Sequence, residues 1–222
     1  MVNVTQALKD RKSTRAFLNK AVAPELINRI LTNASHAPSG TNTQPWQVAV
    51  VSGDSKRKLQ EKLVDAFNGG QPEEMDYHYY PLEWTEPFKS RRRACGLQMY
   101  SALNIPRADR EKQRQQWQAN YTAFEAPVAL YFFMDPIMKT GSFMDYGMFL
   151  QSLMLSAVEQ GLATCPQAAL GQYPDIVKSE LGYDSELILV CGMALGYEDT
   201  DAAVNRYRTS REPTENFTRY FC

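Results

Sequence analysis

Arg11-Lys12-Ser13-Thr14-Arg15 concentrates three cations and two hydroxyls within five residues. A helix would spread these side chains around its circumference. An extended backbone alternates them, so Arg11, Ser13 and Arg15 share one face. That face carries two guanidinium forks and a hydroxyl, a chemistry suited to a phosphate or another compact oxyanion. Taken alone, so short a segment also reads as a solvated basic turn. A second polar stretch, residues 38–46, holds Ser39, Asn42, Thr43 and Gln44 between prolines. Such residues hydrogen-bond their own backbone in an ordinary helix-to-strand loop, or they meet the edges of a ligand.

Other chemistry is scarce. Cys95, Cys165, Cys191 and Cys222 form no Cys-x-x-Cys pair, and His36 and His78 are the only histidines. Neither a zinc site nor a disulfide framework is expected, and His36 reads as a helix-end or solvated residue. No Gly-x-Gly-x-x-Gly follows a strand, and neither a P-loop nor a Gly-x-Ser-x-Gly elbow occurs. No side chain is therefore assigned as catalytic and none as a metal ligand, and redox activity would need a cofactor that carries the reaction. A net charge of −1 argues against nucleic acid as a general partner. The apolar run 143–158 is broken by Asp145, Gln151 and Ser152, so no membrane span is expected. Without an apolar leader after Met1, the cytoplasm is the expected compartment.

In order and spacing, Arg11–Arg15 followed by residues 38–46 resembles the nitroreductase family of FMN-dependent oxidoreductases, and further matches run along nearly the whole chain. The resemblance implies that Arg11, Lys12, Ser13 and Arg15 meet the FMN phosphate, ribityl or pyrimidine edge, with Arg211 on the phosphate and Arg208 beside it. It implies that Asn42 and Gln44 belong to the loop holding the ribityl and ring, and that Pro38 and Ser39 come from the partner subunit of a homodimer. Pro166, Gln167, Ala168 and Ala169 match the segment against the ring, with the Ala168 amide directed at flavin N5. Phe124 falls in the insertion that shapes the substrate side. Two departures stand out: Ala168-Ala169 replaces a frequent Glu-Gly, and Thr209 replaces a lysine. The activity implied is ping-pong transfer of hydride from NADH or NADPH, through FMN, to nitroaromatic or quinone-like acceptors. Reductive dehalogenation, oxidation of a biosynthetic intermediate and non-catalytic flavin binding are the alternatives.

The elements that must position these residues follow from periodicity. Helices are expected over residues 3–10, 24–36, 55–67, 89–104, 107–121, 142–160 and 173–181. Strands are expected over 46–51, 127–134 and 186–196, the first buried on both faces because Val48-Ala49-Val50-Val51 is continuous. Residues 73–87 are aromatic and irregular, and read as a packed loop. Arg91-Arg92-Arg93 opens a helix against its dipole, so it reads as salt-bridged or solvated, with nicotinamide phosphates as the functional alternative. The helix 142–160 is apolar around most of its surface and so lies centrally or in an interface. The expected architecture is α+β in three layers: a mixed central sheet flanked by helices, in one domain spanning 1–222 with a helical insertion around 70–125 and a long dimer-core helix.

Overall fold

The computed structural model describes residues 3–222. Four strands, β1 (Gln47–Ser52), β2 (Val128–Met134), β3 (Ala163–Gln167) and β4 (Ile188–Gly196), form one sheet in the order β1-β2-β4-β3. All three pairings are antiparallel. Among the described residues, the parallel component of the expected mixed sheet is confined to one bridge, Ser13 with Thr164.

Every residue of β2 is buried, because helices cover both faces of the sheet. On one face α2 (Pro24–Ala34) and α6 (Thr140–Glu159) pack over Leu130, Phe132 and Met193. On the other, α3 (Gly53–Asn68) and α7 (Pro174–Leu181) pack over Tyr131, Phe133 and Leu189. The three-layer expectation thus holds, but β1 differs from its sequence reading. It is an edge strand in which only Val51 is buried, and Val50 is 44% exposed. An apolar run reports β propensity; its place at the sheet margin decides what is covered.

The short helix α1 (Val4–Asp10) is capped by Asn3, whose Oδ1 accepts from the Gln6 amide at 2.8 Å. It ends directly at Arg11. Its apolar residues Val4 and Leu8 are exposed, and only Ala7 is buried. In α6, Tyr146, Phe149, Leu153 and Ala157 face the core. The opposite stripe, Met144, Met148, Leu155 and Val158, is exposed or half-buried. Helices α4 (Phe88–Ala102) and α5 (Arg110–Gln118) of the insertion bury no residue fully. The loop 73–87 is anchored at its start. There the buried Lys178 ammonium donates to both Asp76 oxygens (3.1 and 3.2 Å) and to the Ser185 and Leu187 carbonyls. No described helix is long and apolar enough to cross a membrane.

Candidate active site

The Arg11–Arg15 segment is extended, and its side chains alternate as the sequence predicts. Thr14 points inward with no exposure, and its amide donates to the Thr164 carbonyl at 3.0 Å, which ties the segment to β3. Arg11, Ser13 and Arg15 face the opposite way, into a cleft of about 390 Å3. Lys12 also borders this cleft, but its ammonium is held by Glu198 at 2.5 Å and the Asn205 carbonyl at 2.6 Å. Its charge is neutralised within the protein.

Asn205 is the residue that sequence reasoning passed over. It is 3% exposed. Its Oδ1 accepts from the Arg15 amide at 2.8 Å, and its Nδ2 donates to the Ala16 and Asp199 carbonyls, both at 2.8 Å. One amide thereby joins the C-terminal segment to the cationic one across 190 residues. In sequence it is one polar residue between Val204 and Arg206, with no signal marking it apart. Tyr207 was equally unmarked, yet its hydroxyl accepts from Arg15 Nη1 at 3.2 Å and its ring lines the cleft.

The charge in the cleft is one-sided. Lys9, Arg11, Lys12, Arg15, Arg208 and Arg211 line it, and no carboxylate does. Arg11 is held below the usual arginine pKa, first by burial and then by the like charges of Arg211 and Arg208. Cations gathered with no anion of the protein between them repel one another, and a bound anion removes that cost. Arg208 donates to the Asp10 carbonyl at 2.7 Å and the Arg11 carbonyl at 3.1 Å, at the C-terminus of α1. There a cation also complements the helix dipole. Among the described residues, Arg211 donates to the Thr209 and Ser210 carbonyls and the Thr209 hydroxyl of its own exposed segment.

β3 runs beside the Arg11–Arg15 segment and is followed by the 3-10 turn Ala168–Gly171, and none of Pro166, Gln167, Ala168 or Ala169 lines the cleft. β3 pairs with β4 on one side and, through Thr164, bridges Ser13 on the other. The buried Cys165 thiol is pushed up to about 11 by burial, against the opposing pull of Arg15, Ser13 and Arg11. The turn comes this close to β4 because residue 192 is glycine. A Cβ there would lie 2.6 Å from the Leu170 side chain. Pro166 and Ala168 are half-buried, and Gln167 and Ala169 are buried. Gln167 Nε2 donates to the Asn120 carbonyl at 2.9 Å.

Phe124 is 6% exposed, within the apolar cluster under the sheet. The Arg15 guanidinium stands 6.0 Å from its ring centre. Of the basic run in α4, Arg91 pairs with Glu212 at 3.2 Å and Arg92 lies 5.1 Å from the Trp84 ring centre. The Arg91 pair matches the salt-bridged reading, whereas Arg92 is held against an aromatic ring.

Residues 38–46 lie elsewhere. Trp46 stacks on Phe149 at 4.7 Å, and the Tyr146 hydroxyl accepts from the Gln47 amide at 3.1 Å. The Gly40 amide donates to Asp145 Oδ1 at 3.2 Å. Thr41, Asn42 and Gln44 adopt left-handed φ of 49°, 59° and 49°, at a cost of roughly 1–2 kcal/mol each. Side chains held in that region mark either strain tolerated or a constrained site. None of Pro38, Ser39, Asn42 or Gln44 lines the cationic cleft. Asp145 lies in the N-terminal part of α6, whereas Val158, near its other end, flanks Arg11 and Lys12. From Asp145 to Val158 the helix rises roughly 20 Å. The structure thus brings together Arg11, Ser13, Arg15, Arg208 and Arg211 near β3, and leaves the second polar stretch apart.

The sequence matches the Nitroreductase family over residues 8–197. It is 33% identical to nitrobenzene nitroreductase of Ectopseudomonas oleovorans, over 98% of this chain and 96% of that protein. It is 36% identical to 4-nitrobenzoate reductase of Pseudomonas putida, over 95% and 92%. In structure it is similar to the FMN-dependent nitroreductase NfnB of Mycobacterium smegmatis in complex with NADPH, with a TM-score of 0.94 and 33% identity over 98% of this chain and 97% of that one. The FMN and NADPH-dependent nitroreductase NfnB of a Sphigopyxis strain superposes at a TM-score of 0.95, with 38% identity over 99% of both chains. The chain belongs to the nitroreductase family.

Proposed function

We propose that this protein is an FMN-dependent oxidoreductase that uses NADPH or NADH to reduce nitroaromatic or quinone-like acceptors, acting in the cytoplasm as a homodimer. The observation that carries this reading is the cleft lined by six basic side chains, of which Lys12 alone among the described residues is paired with a carboxylate, that of Glu198. A phosphate monoester is the anion that such a set of guanidinium forks fits. Arg11, Arg208 and Arg211 would hold the phosphate. Ser13 and Arg15 face the same cleft from the extended segment, and the Pro166–Ala169 backbone, in which Pro166 and Ala168 are half-buried, would border the ring. When bound, FMN supplies the hydride relay between the nicotinamide and the acceptor. Arg15 would hold a positive charge toward the flavin and so favour its reduced, more negative form. Relatives named for nitrobenzene and 4-nitrobenzoate support the acceptor class, and the NADPH complex of the mycobacterial relative supports the reductant.

The placement of the two polar stretches supports the dimer. In one chain they sit toward opposite ends of α6. A two-fold packing of α6 against its copy, running antiparallel, would carry residues 38–46 of one subunit to the cationic cleft of the other. The apolar stripe Met144, Met148, Leu155 and Val158, with exposed Val4 and Leu8 beside it, supplies a surface for that packing. Pro38, Ser39, Asn42 and Gln44 would then act in trans. Lys12, paired with Glu198, supports the segment and does not need to touch the ligand.

Purified protein should release FMN on denaturation. It should also consume NADPH or NADH only when 4-nitrobenzoate or benzoquinone is present, with the parallel double-reciprocal lines of a ping-pong reaction. Protein that takes up no added FMN, or that holds FMN and turns over no acceptor, would refute the reading.

A further inference from the structure

Arg15 is held by more than its own segment. Asn205 fixes its backbone, and Nη1 donates to the Ser13 carbonyl at 3.3 Å and the Tyr207 hydroxyl at 3.2 Å. Its guanidinium lies over the Phe124 ring. That ring is delivered by an unusual turn: Ala123, Phe124 and Glu125 adopt φ of 50°, 54° and 58° in succession, and none is glycine. A left-handed run of this kind persists only where its surroundings over-determine it. Here the Phe124 amide donates to the Ala119 carbonyl at 2.9 Å, and Tyr121, Ala123 and Ala126 are fully buried. The backbone is strained at the place where an aromatic ring meets a cleft cation.

We propose that Phe124 and Tyr207 are positioning residues, which fix the Arg15 cation so that the protein favours reduced over oxidised flavin. The inference rests on the FMN reading above. A free arginine side chain has several rotatable bonds, and the charge at its tip is diffuse in space. The ring attracts the cation by its quadrupole, and the phenol oxygen accepts one N–H. The remaining guanidinium donors are left for a ligand. Reduced flavin carries more negative charge than oxidised flavin, so a cation held in place stabilises it more, and a loosened cation does so less. Phe124 thereby takes a role that its burial permits. Contact with an acceptor would need a ring face that its 6% exposure does not offer.

The test uses the FMN-loaded protein and its Phe124→Leu and Tyr207→Phe variants, with two readouts besides activity: the flavin midpoint potential and the affinity for oxidised FMN. Phe124→Leu keeps apolar bulk and removes the ring face; Tyr207→Phe keeps the ring and removes the acceptor oxygen. Both should bind oxidised FMN within about threefold of the parent, well under the tenfold step of a lost hydrogen bond. The preference for reduced FMN should fall about tenfold in each, a potential more negative by about 30 mV for a two-electron couple. Parent-like potentials in both folded variants would overturn the inference and leave the proposed function standing. If Phe124→Leu fails to fold, Tyr207→Phe decides by the same criterion. A parent protein that binds no FMN would overturn both readings together.

Discussion

Replacing Arg11 with alanine should have effects of opposite sign on ligand binding and on the stability of the ligand-free protein. Arg11 is half-buried among Arg208 and Arg211 with no carboxylate lining the cleft, and burial and like charge both disfavour its ionised form. Its backbone carbonyl, which accepts from Arg208, survives the substitution. Arg11→Ala should therefore leave the apoprotein within about 0.5 kcal/mol of the parent, or somewhat more stable. Binding should respond in the other direction. A hydrogen bond to a charged group is worth about 1.5–3 kcal/mol, so the FMN dissociation constant should rise by about ten- to a hundredfold. Arg211→Ala should do the same. If both forks hold one phosphate, the double variant should depart from additivity by at least about 0.5 kcal/mol. Urea unfolding of the apoprotein and fluorescence titration with FMN measure the two quantities. An Arg11→Ala apoprotein destabilised by several kcal/mol, or one that binds FMN as tightly as the parent, would refute the reasoning.

Lys178→Met leaves the Asp76 carboxylate without its cation in a site where Lys178 is 4% exposed; a loss of about 3 kcal/mol in urea unfolding is expected. Gly192→Ala forces a Cβ to within 2.6 Å of Leu170; it should cost about 1–3 kcal/mol and weaken FMN binding, because Leu170 belongs to the turn that begins at Ala168. Alkaline stability should reflect the buried thiols, since burial pushes Cys165 up to about 11 and Cys191 up to about 12. A thiol whose folded pKa is raised contributes stability that is present below its unfolded pKa, near 9, and lost as pH rises toward the folded value. Between pH 9 and 11 each should contribute a fall of about 1.4 kcal/mol per pH unit, and Cys165→Ala with Cys191→Ala should flatten that slope in pH-dependent unfolding curves.

Legibility in the sequence followed the range over which each feature is determined. The alternation of Arg11, Ser13 and Arg15 is local, and it could be read because only an extended backbone makes those residues neighbours. Pro24 and Pro174 as first helical residues, and Gly182 at φ 69° after α7, were equally local. The exposure of β1 was not, since Val48–Val51 has the same composition at a margin as in the middle of a sheet. Within the site, Asn205 and Tyr207 act through contacts 190 and 192 residues distant, and nothing in their neighbours' types announces this. Phe124 shows a different limit. Its assignment to the substrate side followed from its place in the chain, while three successive left-handed residues turn its ring under Arg15. β3 was missed as a strand because Pro166 and its short length weaken the pattern, although the turn after it was placed from the resemblance.

The most direct test of the central claim is an anaerobic titration of the purified protein with NADPH or NADH, followed by 4-nitrobenzoate, with the visible spectrum recorded throughout. Bound FMN should bleach on addition of the nicotinamide, and its oxidised spectrum should return on addition of the nitroaromatic, without free nicotinamide being required in the second step. A flavin spectrum that neither NADPH nor NADH bleaches, or that stays bleached when the acceptor is added, would contradict that claim.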